Sequence, residues 1–407
     1  MRRVVVTGMG IMSSIGSNLE EFWESLKSGR SGIDWIDTFD VSEFGSKVAG
    51  RVRNFDPTSY MEKREAKRTS RFVQLAIASA SEAYTDSGLE GYLFDPEMAG
   101  VIYGVGLGGM DVIEDQHLIL MDKGPSRITP FLIPMTIANM APGLLAIRFG
   151  LKGTNFTIST ACASGTNAIG EATRLIKSGI LDIAMTGGTE ATITPLALAG
   201  FSNMTALSRG TPESASRPFD SKRDGFVMAE GSATLIIEEY EHALSRGARI
   251  YGEIVGYGST DDAFHITSPE ESGDGAYRAM KMALKDACID PSEVDYINAH
   301  GTSTPLNDVI ETRAIKRLYG ARESLNISST KSMAGHALGA AGAIESVATF
   351  LSMKNSFVPP TINYSNPDPE CDLNYTPNYG VEKAINFAMK NSFGFGGHNA
   401  SLLFKRL

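Results

Sequence analysis

Cysteine is scarce in this chain. Its 407 residues include three, Cys162, Cys288 and Cys371, far apart and without a CxxC pair. That spacing excludes a disulfide framework and a structural zinc site, so no metal is expected, and it fits a reducing, cytoplasmic setting. Long apolar runs are missing too, since no stretch approaches the ~18 residues that span a bilayer. The opening Met1-Arg2-Arg3-Val4-Val5-Val6 has the basic pair of a signal peptide but is interrupted at Thr7, Gly8 and Gly10. It reads instead as the first strand of the fold, and neither export nor membrane insertion is expected. Positive charge is in deficit: the formal net charge is −10, whereas nucleic-acid binding depends on basic residues that displace counterions.

What is present is a globular composition, with 42% hydrophobic residues, ample for a large core. Strand-like runs (Arg3 to Thr7, Ala99 to Tyr103, Asn155 to Thr160, Ile180 to Thr186, Ser232 to Glu238) alternate with helix-like ones such as Phe72 to Asp86. After Arg249 the rhythm restarts with Tyr251 to Tyr257, a helix from about Gly275 to Cys288, strands Asp295 to Ala299 and Leu325 to Ser329, and a closing strand Ala400 to Lys405. Such alternation predicts an α/β fold around largely parallel sheets. Two successive halves are expected, 1–250 and 251–407, sharing one interface because no linker-like stretch divides them. An Ala/Gly-packed helix starting near His336 is expected to be buried between layers.

Cys162 stands in Thr160-Ala161-Cys162-Ala163-Ser164-Gly165, between an apparent strand and an apparent helix over Ala163 to Ser178. Unpaired N–H groups and the helix dipole there favour a thiolate by ~0.3–1 and at most ~2 kcal/mol. The upper limit would bring a reference thiol pKa of ~8.5 down to ~7. A buried small hydrophobe is the alternative fate of such a residue, but the small neighbours leave room for a substrate. His300, ending a strand in Asn298-Ala299-His300-Gly301-Thr302-Ser303-Thr304, and His336, in Lys331-Ser332-Met333-Ala334-Gly335-His336, lie at transitions where α/β folds collect catalysts. The loop Asn391-Ser392-Phe393-Gly394-Phe395-Gly396-Gly397 offers an oxyanion donor combined with a movable gate.

Two glycine runs imitate dinucleotide loops, Val4-Val5-Val6-Thr7-Gly8-Met9-Gly10 and Tyr103-Gly104-Val105-Gly106-Leu107-Gly108-Gly109. Neither is followed by a convincing ribose-binding acid ~20 residues beyond, so a nicotinamide enzyme is not expected. Against the acidic average, Lys63, Arg64, Lys67, Arg68 and Arg71 fall at helical spacing, a cationic stripe suited to an acidic protein partner.

The chain resembles the β-ketoacyl-acyl-carrier-protein synthases, within the group that uses a Cys-His-His triad, and most of all the synthase II branch. The resemblance covers Val5 to Gly10, residues 160–165, the segment Arg217-Pro218-Phe219-Asp220 through Val227, and residues 298–308, 330–336 and 391–397. It implies a thiolase-like fold, five layers αβαβα in two pseudo-symmetric halves, usually as a homodimer. It puts the nucleophile on Cys162 and the two histidines on His300 and His336. Lys331 would organise the second histidine with Glu311 as its partner, and the N–H groups of Cys162 and Phe393 would form the oxyanion hole, Phe393 also gating the acyl pocket. Thr302 and Thr304 match pantetheine contacts; Leu107, Phe201 and Phe395 join Glu311 among the residues assigned to the substrate side. Lys63, Arg64, Lys67 and Arg68 match the docking surface for acyl carrier protein. The implied reaction is a decarboxylative condensation of malonyl-carrier protein with a cysteine-bound acyl chain, needing no cofactor.

The chain departs from the family pattern at Thr205, Ala229 and His398. Other readings are a thiolase, for which Cys371 lacks the expected glycine-rich surroundings, a chain-length partner, which would lack the active cysteine, and a cysteine hydrolase. Another Cys-His-His ketosynthase, synthase I-like or of polyketide type, is the alternative within the family.

Overall fold

The computed structural model describes residues 2–407. Ten strands form the main sheet: β1 Val4–Met12, β2 Ala99–Val105, β3 Asn155–Ile158, β4 Ile183–Glu190, β5 Gly231–Glu239, β6 Gly252–Asp261, β7 Tyr296–Asn298, β8 Asn326–Ser328, β9 Phe387–Gly394 and β10 His398–Lys405. Their spatial order is β3-β2-β4-β5-β1-β6-β10-β9-β7-β8. Adding five to each strand number of the first half gives the order of the second. The pairings repeat as well: the inner pairs are antiparallel, and β3-β2-β4 and β8-β7-β9 are parallel. The sheet is therefore mixed and not largely parallel, because β4 to β5 and β9 to β10 double back as antiparallel neighbours. The halves meet at β1 and β6 through Val5 with Glu253 and Val6 with Gly252.

Six helices complete the layers: α1 Arg71–Asp86, α2 Met140–Phe149, α3 Ser164–Lys177, α4 Asp274–Ala287, α5 Pro305–Tyr319 and α6 Ala341–Asn355. α1 covers β1, β4 and β5 with α2 beside it, and α4 covers β6 and β10 with α5 beside it. Between the halves lie α3 and α6, which touch strands of both. Small residues allow that crossing. A Cβ at Gly165 would come to 2.9 Å from the Ala343 nitrogen, and one at Gly342 to 2.6 Å from the Thr166 nitrogen. α6 is buried from Ala341 to Met353, as its Ala/Gly content predicts.

The glycines of the first imitation loop have a packing reason. On β1, a Cβ at Gly8 would collide with the Ala83 carbonyl, and one at Gly10 with that of Ser79, so their absence lets α1 lie on the strand. On β6, Gly256 and Gly258 do the same for the Ala283 and Ala279 carbonyls of α4.

Two local expectations are corrected. His336 does not open the Ala/Gly helix: the helical turn Lys331–Ala334 ends before it, a 3-10 turn Leu338–Ala340 follows it, and α6 starts at Ala341. The cationic stripe does not run along one helix either. A short turn covers Lys63–Ala66, and α1 begins anew at Arg71. The Arg71 guanidinium pairs with the buried Glu230 carboxylate, at 2.6 Å through both Nε and Nη2, which leaves its side chain partly buried and ion-paired. Lys63, Arg64, Lys67 and Arg68 remain exposed.

Candidate active site

Cys162 sits in a 3-10 turn, Ala161–Ala163, between β3 and α3. Ala161 adopts φ 48°, a left-handed conformation that costs an alanine about 1 kcal/mol or more. The surrounding hydrogen bonds hold it there: the Thr160 N–H donates to Ser164 Oγ at 2.9 Å, and that hydroxyl donates to the Ala161 carbonyl at 2.7 Å. Only 7% of Cys162 is exposed. It opens onto a cavity of about 390 Å³ lined also by Phe201, Phe226, His300, Thr302, Thr304, His336, Phe393 and Phe395. The triad candidates thus share one largely apolar cavity, drawn from both halves.

The histidine rings stand 5.4 Å apart, centre to centre, nearly perpendicular. Their backbones are pinned separately. The His300 and Gly301 N–H groups donate to the two Glu311 carboxylate oxygens at 2.9 and 2.8 Å. The His336 N–H donates to the Val227 carbonyl at 2.8 Å, and the Ala229 N–H returns a bond to the His336 carbonyl at 2.9 Å. Both rings are held neutral, well below the ordinary histidine range, first by burial and then by the Lys331 charge. Both His336 ring nitrogens are buried and neither has a partner among the described residues.

Lys331 does not pair with Glu311. Its ammonium contacts His300 Nδ1 at 3.3 Å, donates to the His300 carbonyl at 2.7 Å and pairs with Glu345 on α6, which uses all three of its protons. With Nδ1 accepting, the His300 proton lies on Nε2. Glu311 is fully buried and its oxygens serve the 300–301 backbone and Asn391, so it is not a substrate contact. The other Glu345 oxygen pairs with Lys390 at 2.8 Å, and burial lowers Lys390 to about 8. The sequence reading missed Glu345 and Lys390. Their signal was a single charge inside each of two apolar runs, Ala343-Ile344-Glu345-Ser346-Val347 and Phe387-Ala388-Met389-Lys390.

Three further expectations change. Burial pushes the Cys162 thiol up to about 12, while Lys331 and the Phe395 N–H pull the other way with less effect. The dipole argument for a pKa near 7 omitted the cost of desolvating a thiolate. The backbone N–H groups that favour the thiolate are those of Phe395 and of Cys162 itself; the Phe393 ring packs edge-on at 5.7 Å from His300. Leu107 lies outside the cavity lining and is 46% exposed. Thr302 and Thr304, by contrast, are in the lining with their hydroxyls 2.9 Å apart. Phe201 also lines it, edge-on to Phe226. Cys371 is buried elsewhere, among Phe219, Val309 and Tyr375, and takes no part. Of the departures from pattern, Thr205 joins the lining, Ala229 holds the His336 carbonyl, and the His398 ring stands half-exposed 3.7 Å from Asp261.

Residues 1–243 match the beta-ketoacyl synthase N-terminal domain model and residues 251–365 its C-terminal counterpart. Over the whole chain, the sequence is 53% identical to a 3-oxoacyl-[acyl-carrier-protein] synthase 2 of Synechocystis sp., covering 98% of that protein. It is 50% identical to the protein of that name from Staphylococcus aureus, again over 100% of the chain and 98% of the relative. Among solved structures, a beta-ketoacyl synthase from Burkholderia phymatum superposes with a TM-score of 0.93 at 36% identity, covering both chains fully. A ketosynthase solved with its type II PKS acyl-carrier protein gives 0.92 at 37% identity, covering 100% of this chain and 99% of that one.

Proposed function

The chain belongs to the β-ketoacyl synthase family along nearly its whole length, and from that premise we propose that Cys162, His300 and His336 carry a decarboxylative condensation that extends a fatty acyl chain by two carbons. It is a condensing acyltransferase, 3-oxoacyl-[acyl-carrier-protein] synthase 2 in activity. The observation that carries the site assignment is the convergence of one sulfur and two neutral imidazoles on one apolar cavity.

In the first half-reaction the Cys162 sulfur attacks the thioester carbon of acyl-carrier protein, and the departing pantetheine thiolate takes the thiol proton. The N–H groups of Cys162 and Phe395 hold the tetrahedral oxyanion. In the second, malonyl-carrier protein loses carbon dioxide. The enolate oxygen then needs hydrogen-bond donors more than a base, which suits two imidazoles kept neutral. The carbanion attacks the acyl-cysteine, and the Cys162 thiolate leaves and is reprotonated. Thr302 and Thr304 contact the pantetheine arm. Lys331 and Glu345 are positioning residues that fix the His300 tautomer.

The partner is acyl carrier protein in its acyl and malonyl forms, docking on Lys63, Arg64, Lys67 and Arg68. Assembly as a homodimer is supported by the unpaired edge of strand β3, which carries exposed Phe156, and by exposed Ile133, Ile137 and Ile147. A cytoplasmic location is supported by three free cysteines. A polyketide ketosynthase is the second reading, favoured by the structural match to that class.

The test mixes purified protein with acyl- and malonyl-carrier proteins and follows carbon dioxide and β-ketoacyl product over a series of acyl lengths. Condensation on saturated chains, abolished in Cys162→Ala, is expected. Free fatty acid as sole product, or undiminished condensation by Cys162→Ala, would overturn the assignment; activity confined to β-keto-bearing chains would favour the polyketide reading.

A further inference from the structure

Glu190 is the last residue of β4, and its side chain is completely buried without a cationic partner among the described residues. Its carboxylate is instead surrounded by backbone donors. Oε2 accepts from the Gly106 N–H at 2.9 Å and the Gly339 N–H at 3.1 Å; Oε1 accepts from Leu107 at 3.1 Å and Gly108 at 3.4 Å. Two of the donors are glycines for a reason: a Cβ at Gly106 would collide with Oε2, and one at Gly339 would come within 2.7 Å of it. The second imitation loop is therefore a cradle, filled by the protein's own carboxylate.

The pseudo-symmetry says which cradle it is. Gly339 is the middle residue of the 3-10 turn before α6, as Cys162 is of the turn before α3. Each turn opens on a left-handed residue, Leu338 at φ 45° and Ala161 at φ 48°. Glu190 ends β4 where Gly394 ends β9, each closing the register with its antiparallel neighbour. At Gly394 a Cβ would lie 3.1 Å from the Cys162 nitrogen. The N–H of Gly339 is thus the counterpart of the N–H of Cys162, one occupied by a glutamate and the other open to the cavity.

We propose that Glu190 is a positioning residue that plugs the symmetry counterpart of the oxyanion pocket, and that this plug holds loop 106–108 and turn 338–340 in the shape that Cys162 acylation requires. The proposal rests on the acyl-transfer reading above. Leu338 lines the reaction cavity, and Met110, just beyond the loop, packs in the same apolar cluster as Cys162 and Phe201. Without the carboxylate four N–H groups would lose their acceptor, and for the buried ones, those of Gly108 and Gly339, an unsatisfied donor is costly, so the arrangement would not persist. Burial raises Glu190 to about 7 even against those four donors. His336, anchored through Val227 and Ala229, does not depend on the plug.

The test compares Cys162 acylation by acyl-carrier protein with malonyl decarboxylation measured in the Cys162→Gln background. Glu190→Ala is expected to slow acylation by roughly ten- to a hundredfold, the size of a lost charge-assisted bond, and to change decarboxylation by less than about threefold. Formate or acetate, which fit the vacated cradle, should restore part of the acylation. Glu190→Gln keeps the volume and sets an amide NH₂ against N–H donors, so it should show the same split between the two steps without an anion response. Parent-level acylation in either variant, an acylation loss in Glu190→Ala that neither anion relieves, or parallel loss of both steps would overturn the proposal. If Glu190→Ala does not fold, the split in Glu190→Gln decides alone. Failure of the unmodified enzyme to condense would instead refute the functional reading, so the two failures are distinct.

Discussion

Gly8 and Gly10 under α1, and Gly256 and Gly258 under α4, solve one packing problem twice. The halves repeat the same strand order and bury the same kind of helix between them, yet their contributions to the cavity differ in kind. The first half supplies the sulfur and, through residues 191–230 between β4 and β5, the apolar wall of Phe201 and Phe226. The second supplies both imidazoles, their Lys331–Glu345 support and, in the short turn 395–397 between β9 and β10, the Phe395 edge of the thiol pocket. The difference teaches that the scaffold is set by close approach of backbones, whereas the chemistry rests on single residues at equivalent turns.

The comparison can be broken hardest at the imidazoles. His300→Ala and His336→Ala should each reduce carbon dioxide release from malonyl-carrier protein by roughly 10²–10³, the loss expected when a donor to a developing oxyanion is removed. An unaffected rate in either would deny the second half its assigned duty. Gly10→Ala and Gly258→Ala should both destabilise the protein, by about 1–3 kcal/mol from overpacking, read by urea unfolding. A large loss from one with none from the other would end the claim of equivalence.

Cys162 offers a finer probe. Because burial favours the neutral thiol, its alkylation by iodoacetamide in the substrate-free enzyme should rise about tenfold per pH unit from pH 7 to 10, following the thiolate fraction. A plateau near neutral pH would mean that the helix dipole outweighs desolvation. The smallest effect is expected at the surface. Charge reversal at Arg64 and Lys67 should raise KM for carrier-bound substrates by about three- to tenfold at low salt, with small thioesters unaffected. Equal losses on both substrate types would remove docking from these residues.

Much of this was legible in the residues. Most strands and helices α1, α3 and α4 followed from periodicity, and the three triad positions from motif context and family resemblance, whereas β9, whose residues 391–394 read as loop, and helices α2 and α5 did not. What was not legible depended on distances between segments remote in sequence. Glu311 and Glu345 are both glutamates within reach of the histidine loops by any count along the chain; only the fold shows that one binds backbone and the other Lys331. Phe393 and Phe395 are two residues apart, yet Phe393 belongs to β9 and Phe395 to the turn beyond it, beside Gly396 and Gly397 with φ 88° and 81°. The thiol's upward shift was hidden for a like reason, since helix position is local and burial is not.

The strands β1 and β6 join the halves, and one apolar cluster runs from Val4 to Phe404 through α3 and α6. Neither half owns a complete interior. Severing the backbone after Arg249 would therefore leave fragments that recover structure together or not at all, and intact protein should melt in a single calorimetric peak.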